Sequence, residues 1–159
     1  MPPSPKPSTL PSPRRPLLNK LLLAIAGFSF VGFADSAYLT ADHYLALPLP
    51  CSILHGCDIV LRSAYSMIGP IPVAMTGVAF YLVVLFFVLY LYTADTLEKR
   101  LVYALAGLGT IGFAMSAIFE SIQIYLIHAL CQYCALSALS SALIFISALW
   151  LSRAARKGA

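Results

Sequence analysis

The chain has 159 residues, of which 60% are apolar and 10% charged, and it carries a net charge of +4. Soluble domains average roughly 45–50% apolar and 25% charged residues, so this composition excludes an ordinary soluble enzyme and places most of the chain in lipid. The basic residues fall in short clusters between apolar runs, which implies membrane topology and no nucleic-acid partner.

In chain order, residues 1–17 open with Pro2, Pro3, Pro5, Pro7, Pro11, Pro13 and Pro16 and read as a disordered cytoplasmic tail, too rich in proline to form a helix. Four nearly uncharged runs follow: Leu21–Leu39, Ile71–Tyr92, Leu101–Ile127 and Cys131–Leu151. Each can supply about 20 residues, enough to cross a hydrocarbon core of about 30 Å as a helix. The runs show no period-two alternation and are too long for barrel strands. The expectation is an all-α membrane protein, a four-transmembrane-helix bundle over residues 18–152, followed by a basic tail over 153–159. The first run continues through Ala37-Tyr38-Leu39, so it reads as a retained helix rather than a cleaved signal peptide.

Lys6, Arg14, Arg15, Lys20, Lys99, Arg100, Arg153, Arg156 and Lys157 all fall on one side of these spans, and only Arg62 falls on the other. By the positive-inside rule both termini and the Thr93–Arg100 loop are cytoplasmic. The 41–69 loop and the turn at His128 then face outward, and the expected location is the inner (cytoplasmic) membrane.

Every cysteine lies on the outward side, where disulfides persist or are made. Cys51 and Cys57 bracket a loop in which Pro48 and Pro50 prevent a helix, Gly56 permits a tight turn, and Asp58-Ile59-Val60-Leu61 allows a short amphipathic helix. Gly69-Pro70-Ile71-Pro72 then starts the second span, proline being tolerated in a first helical turn. Cys131-Gln132-Tyr133-Cys134 opens the fourth span after a tight turn. The backbone N–H groups at a helix start favour a thiolate, so one of these thiols is expected to ionise unusually easily. A C-x-x-C pair serves both zinc and redox sites. Zinc clusters belong mostly to soluble intracellular modules, and a disulfide closing so small a loop on a helix already fixed by the bilayer adds little stability. Electron transfer is the reading that remains, against the alternative of a non-catalytic four-span protein with structural disulfides.

The ordered set of features resembles the vitamin K epoxide reductases and their bacterial homologues, over roughly Leu21 to Leu151. The resemblance rests on the four spans, the C-x5-C pair Cys51 and Cys57, Ser63 six residues later, Gly69-Pro70-Ile71-Pro72 with Gly77 and Tyr81, Ser36-Ala37-Tyr38, and the final C-x-x-C. The other bacterial quinone-linked disulfide generator has its cysteine pairs in the reverse order. The resemblance implies a quinone-dependent thiol oxidoreductase. Dithiols of a thioredoxin-like partner would be oxidised at Cys51 and Cys57, which pass electrons to Cys131 and Cys134. Cys134 would lie nearest the quinone, of the menaquinone, ubiquinone or phylloquinone type, and Ser63 would donate a hydrogen bond to it. The partner is expected as a separate protein. Animal members carry an asparagine early in the second span and a tyrosine four residues after the C-x-x-C. Here Ile71-Pro72-Val73 and Ala138 stand in those places, which favours quinone reduction over vitamin K epoxide reduction as the main activity.

Among other polar residues, Glu120 is a candidate for proton handling at the quinone, because intramembrane carboxylates are costly and often functional. Asp35 and Gln123 lie at similar depth. His55 and His128 flank the cysteine pairs and are candidates for stabilising a thiolate. Gly107, Gly109, Gly112, Ala114 and Ser116, with Ala135, Ser137, Ala138 and Ser141, read as surfaces for close helix packing. Phe80, Phe86, Phe87 and Phe113 are candidates to line a pocket.

Overall fold

A computed structural model describes residues 15–45, 50–51, 56–94 and 98–156. The tail residues 1–14, together with Pro48, His55 and Lys157, lie outside these segments. Four helices are long and apolar enough to cross a membrane. They are α1 (Arg15–Leu45), α3 (Val73–Thr93), α4 (Lys99–Ile122) and α5 (Gln132–Arg156), with a short helix α2 (Cys57–Leu61) between the first two. In hydrocarbon a backbone has no water to bond, so runs of this composition satisfy their amides internally as helices.

The helices overrun the apolar runs at most ends. Helix α1 begins at Arg15, inside the segment read as a tail, with Pro16 in its first turn, where a missing N–H costs nothing. It ends at Leu45, taking in the first five residues of the stretch read as outer loop. Helix α5 likewise continues through Arg153 to Arg156, and basic residues in a last turn complement the helix dipole. Hydropathy marks where the bilayer lies, whereas backbone hydrogen bonding carries each helix beyond it.

Between α2 and α3 a single turn of tight helix, Ala64–Ser66, leads into a two-stranded hairpin. Strands β1 (Met67–Ile68) and β2 (Ile71–Pro72) pair antiparallel, Met67 with Pro72 and Ile68 with Ile71. The bend needs φ of 63° at Gly69, a left-handed conformation natural to glycine, and Pro72 then caps α3.

Packing is uneven along the bundle. The core gathers Leu18, Leu22 and Ile25 of α1, Val84, Val88 and Leu91 of α3, Val102 and Leu105 of α4, and Ile144, Ala148 and Leu151 of α5. All belong to the half of the bundle that carries the ends Arg15, Thr93, Lys99 and Arg156. Helix α1 packs against α3 and α5, and α5 against α4, whereas α3 and α4 touch little. The opposite half is hollow on that α3–α4 side. Large outward side chains such as Phe86, 68% exposed, and Trp150, 60% exposed, lie where lipid would cover them.

Small residues set the closest helix approach, as expected of membrane helices. A Cβ on Gly109 would lie 3.2 Å from the Cα of Phe145 in α5, whereas one on Gly107 would meet nothing within 4 Å. Ser116 and Ser141 are hydrogen-bonded across the same pair of helices at 2.8 Å. Gly109→Leu is therefore expected to destabilise the bundle by about 1–3 kcal/mol, and Gly107→Leu to leave it nearly unchanged. Thermal unfolding in detergent, measured on both variants, checks the difference.

Candidate active site

The site forms where three segments meet at the hollow end. Helix α4 finishes in one wide turn, Gln123–Ile127, and His128 then reverses the chain with φ of 55°. Gln123 closes this reversal twice. Its backbone carbonyl accepts from the N–H of Ala129 at 3.2 Å, and its buried side-chain oxygen accepts from the N–H of Cys131 at 2.9 Å. A helix start leaves its first amides without partners, and Gln123 supplies one. The sequence reading noted Gln123 only as a polar neighbour of Glu120. A glutamine a few residues before a C-x-x-C, at the end of the preceding helix, is a signal that was available but is weak on its own.

The Cys51–Cys57 segment docks onto this corner. The carbonyl of Pro50, next to Cys51, accepts from Gln132 Nε2 at 3.0 Å and from the Tyr133 hydroxyl at 3.4 Å. The two residues between the C-x-x-C cysteines thus hold the loop. Tyr133 also stacks at a tilt on Tyr38 of α1, with ring centroids 5.6 Å apart. On the other flank, a Cβ at Gly56 would lie 2.7 Å from the carbonyl oxygen of Leu130, so the loop backbone lies directly against the strand entering α5.

All four cysteines come together there. Cys51 and Cys57 form a disulfide, while Cys131 and Cys134 are free thiols. Cys57, Val60 and Cys131 make one buried cluster, with Cys51, Cys134 and Tyr133 packed against it. The Cys134 backbone N–H points at Cys131 Sγ, 3.5 Å away. The Cys131 thiol is brought down to about 7, chiefly by a hydrogen bond from the Cys134 side chain, with burial opposing and the Cys134 and Tyr133 amides assisting. This agrees with the easily ionised thiol expected at the helix start.

Beneath this cluster lies a cavity of about 890 Å³, bounded by the hairpin segment, α1, α3, α4 and α5. Cys134, Ser63 and Glu120 all line it, together with Phe80, Tyr81 and Ala138. Cys131 lies behind the wall, on the loop side. Tyr81 joins α3 to α5 by hydrogen bonding with the carbonyl (2.8 Å) and hydroxyl (2.9 Å) of Ser137. Its ring fills the space that a Cβ on Gly32 would need. Ser63 donates its hydroxyl proton to the Val60 carbonyl at 2.7 Å, so it reaches a ligand as a donor only by rotating away from that bond. Of the candidate phenylalanines, Phe80 lines the cavity, over Gly112. Phe86 faces outward, Phe87 packs on the core, and Phe113 stacks on Phe145 at 5.1 Å. His128 is exposed at the reversal.

Four membrane-crossing helices with two cysteine pairs gathered over an apolar cavity define a multi-pass membrane redox protein. The sequence matches the vitamin K epoxide reductase family over residues 23–149, and the chain belongs to that family. It is accordingly an oxidoreductase that works through cysteines, in a family whose enzymes use quinones. No curated protein gave a significant match to the sequence.

With the C-x-x-C reduced, thiolate absorbance is expected to grow in as pH rises through about 7, as Cys131 ionises. In Cys134→Ala, which removes the donated hydrogen bond, that midpoint moves up toward the ordinary thiol range. An unmoved midpoint would show that Cys134 does not stabilise the thiolate.

Proposed function

We propose that this protein oxidises the dithiol of a thioredoxin-like partner and reduces a membrane quinone, supporting disulfide formation. The observation that carries this reading is the division of the cysteines: Cys131 packs with the loop disulfide, while Cys134 lines the cavity. Electrons then have a direction, from partner to Cys51–Cys57, to Cys131–Cys134, to quinone. In each exchange a thiolate attacks a disulfide sulfur and another thiolate leaves; here the reduced loop pair attacks the Cys131–Cys134 disulfide, and the easily ionised Cys131 is a good leaving group when its mixed disulfide with the loop resolves. The basic residues argue that both termini are cytoplasmic and the cysteines lie on the outer side.

The residues fit a quinone. A cavity of about 890 Å³ is of ligand-pocket size, its walls are mainly apolar, and it lies where α3 and α4 touch little. Cys134 would face the ring, and Ser63, with its hydroxyl turned from Val60, and Glu120 are the polar groups to meet the ring oxygens. A bound quinone supplies a two-electron, two-proton acceptor. Ala138, on the cavity wall where the animal enzymes carry a tyrosine, supplies no phenolic hydroxyl at that position. This supports quinone rather than epoxide reduction as the main activity.

With reduced thioredoxin-like protein and quinone added to the purified enzyme, quinone absorbance is expected to fall. Cys131→Ala and Cys134→Ala should each abolish that turnover. Full rates in both variants would overturn the relay. A wild-type disulfide that cannot be reduced and reoxidised would favour a structural role instead.

A further inference from the structure

One buried side chain on the cavity wall has only one of its two polar atoms engaged. Gln123, at the end of α4, is 3% exposed and is the one carboxamide among the residues that line the cavity. Its Oε1 accepts from the backbone N–H of Cys131 at 2.9 Å. An N–H must be met by an acceptor, so this bond fixes which end of the carboxamide is oxygen. Nε2, which carries two N–H groups, is thereby turned the other way. Among the described residues Nε2 has no hydrogen-bond partner. Nor is it sealed in, as the unpartnered oxygens of Ser29 and Asp35 are, and the open space that Gln123 borders is the cavity. A donor in the interior is costly unless an acceptor meets it. For Nε2 that acceptor has to come from whatever fills the cavity.

The surroundings say what kind of molecule carries it. Residues three and four apart share a helix face, so Ser116, Glu120 and Gln123 form one polar stripe of α4 along walls that are otherwise mainly apolar. Cys134 also lines the cavity, and its N–H points at Sγ of Cys131, whose own N–H is the one Gln123 holds. We propose that Gln123 Nε2 donates a hydrogen bond to a ring carbonyl oxygen of the quinone and so holds the ring in register with Cys134. This rests on the quinone-reducing reading and adds to it a binding residue that works from both ends. Oε1 grips the head of the C-x-x-C, and Nε2 grips the ring. The carboxamide between them is planar and rigid, so ring and thiol keep a fixed relation, which is what orientation contributes to a transfer step. A fixed donor at the ring oxygen also favours the charge that builds there as electrons arrive. Ser63 must give up its bond to Val60 to donate in this way, whereas Gln123 gives up none.

The test follows from a property of the chain: its glutamines are Gln123 and Gln132 alone. Full-length protein carrying nitrogen-15 in its glutamine side chains therefore shows one pair of NH2 signals for each by NMR. Loss of a pair in either Gln123→Met or Gln132→Met assigns both, so one folded variant is enough. A short-tailed benzoquinone is added with both cysteine pairs oxidised, so that it is not consumed. The Gln123 signals are expected to move, and those of Gln132, which donates to Pro50 on the loop side, to stay. The infrared C=O stretch of bound quinone, labelled with carbon-13 at its carbonyls, should lie lower in the wild type than in Gln123→Met. Binding to that variant should be about 3–10-fold weaker, as for loss of one hydrogen bond. A glutamine that only ties the turn to Cys131 would show no quinone-dependent shift at Nε2. Quinone bound with the Gln123 signals unmoved, or with the same C=O stretch in wild type and variant, overturns this inference and leaves the proposed function standing. Absence of quinone binding by the wild type in equilibrium dialysis overturns both.

Discussion

The arrangement depends on one docking contact, between the carbonyl of Pro50 and the side chains of Gln132 and Tyr133. A loop disulfide is useful for electron transfer only if it meets the next thiol. Here the residues inside the C-x-x-C grip the backbone next to Cys51, and Gly56 lets the other end of the loop lie flat on Leu130. These are one or two hydrogen bonds of modest net worth, roughly 1 kcal/mol each. A contact that weak holds the loop in register yet can release it, which suits a pair that, on the proposed function, also meets a partner. The rigid side of the encounter is supplied by Gln123, which ties the end of α4 to the first amide of the C-x-x-C.

The unequal filling of the bundle serves the same purpose. Leu22, Ile25, Val84, Val102, Leu105 and Ile144 make a dense core at one end, and this fixes the four helices relative to one another. With that end fixed, the other can stay hollow without collapse, because helices held by their own hydrogen bonds need no filling to remain helical. Tyr81 marks the transition. Its ring is packed against Gly32 and its hydroxyl bridges to Ser137, so it closes the core below and forms cavity wall above.

Much of this was legible in the sequence. The four spans followed from hydropathy, and the placing of the C-x-x-C at the head of α5 followed from the short connection after Gln123. The role of Cys134 at the cavity came from family resemblance, and nothing in residue spacing alone would have separated it from Cys131. Helix ends were misjudged because charged and proline-bearing turns lie outside lipid yet remain helical, as at Arg15–Pro16 and Arg153–Arg156. Gln123 and Asp35 were visible only as polar letters in an apolar run. What distinguishes them is whether their polar atoms find partners, and that depends on helix rotation and on which neighbour lies opposite.

That distinction separates the two carboxylates. Glu120 and Asp35 lie at similar depth in their apolar runs, and Glu120 was the candidate for proton handling because intramembrane carboxylates are costly and often functional. Glu120 does border the cavity, half-buried, where a ligand or solvent can satisfy it. Asp35 is buried on α1, and neither of its carboxyl oxygens has a hydrogen-bond partner among the described residues. A group at a cavity wall has its energy set by whatever fills the cavity, whereas an enclosed one must be balanced by the protein. The acid at the wall is therefore the one placed to meet whatever fills the cavity, while the buried one has no hydrogen bond among the described residues to offset its burial.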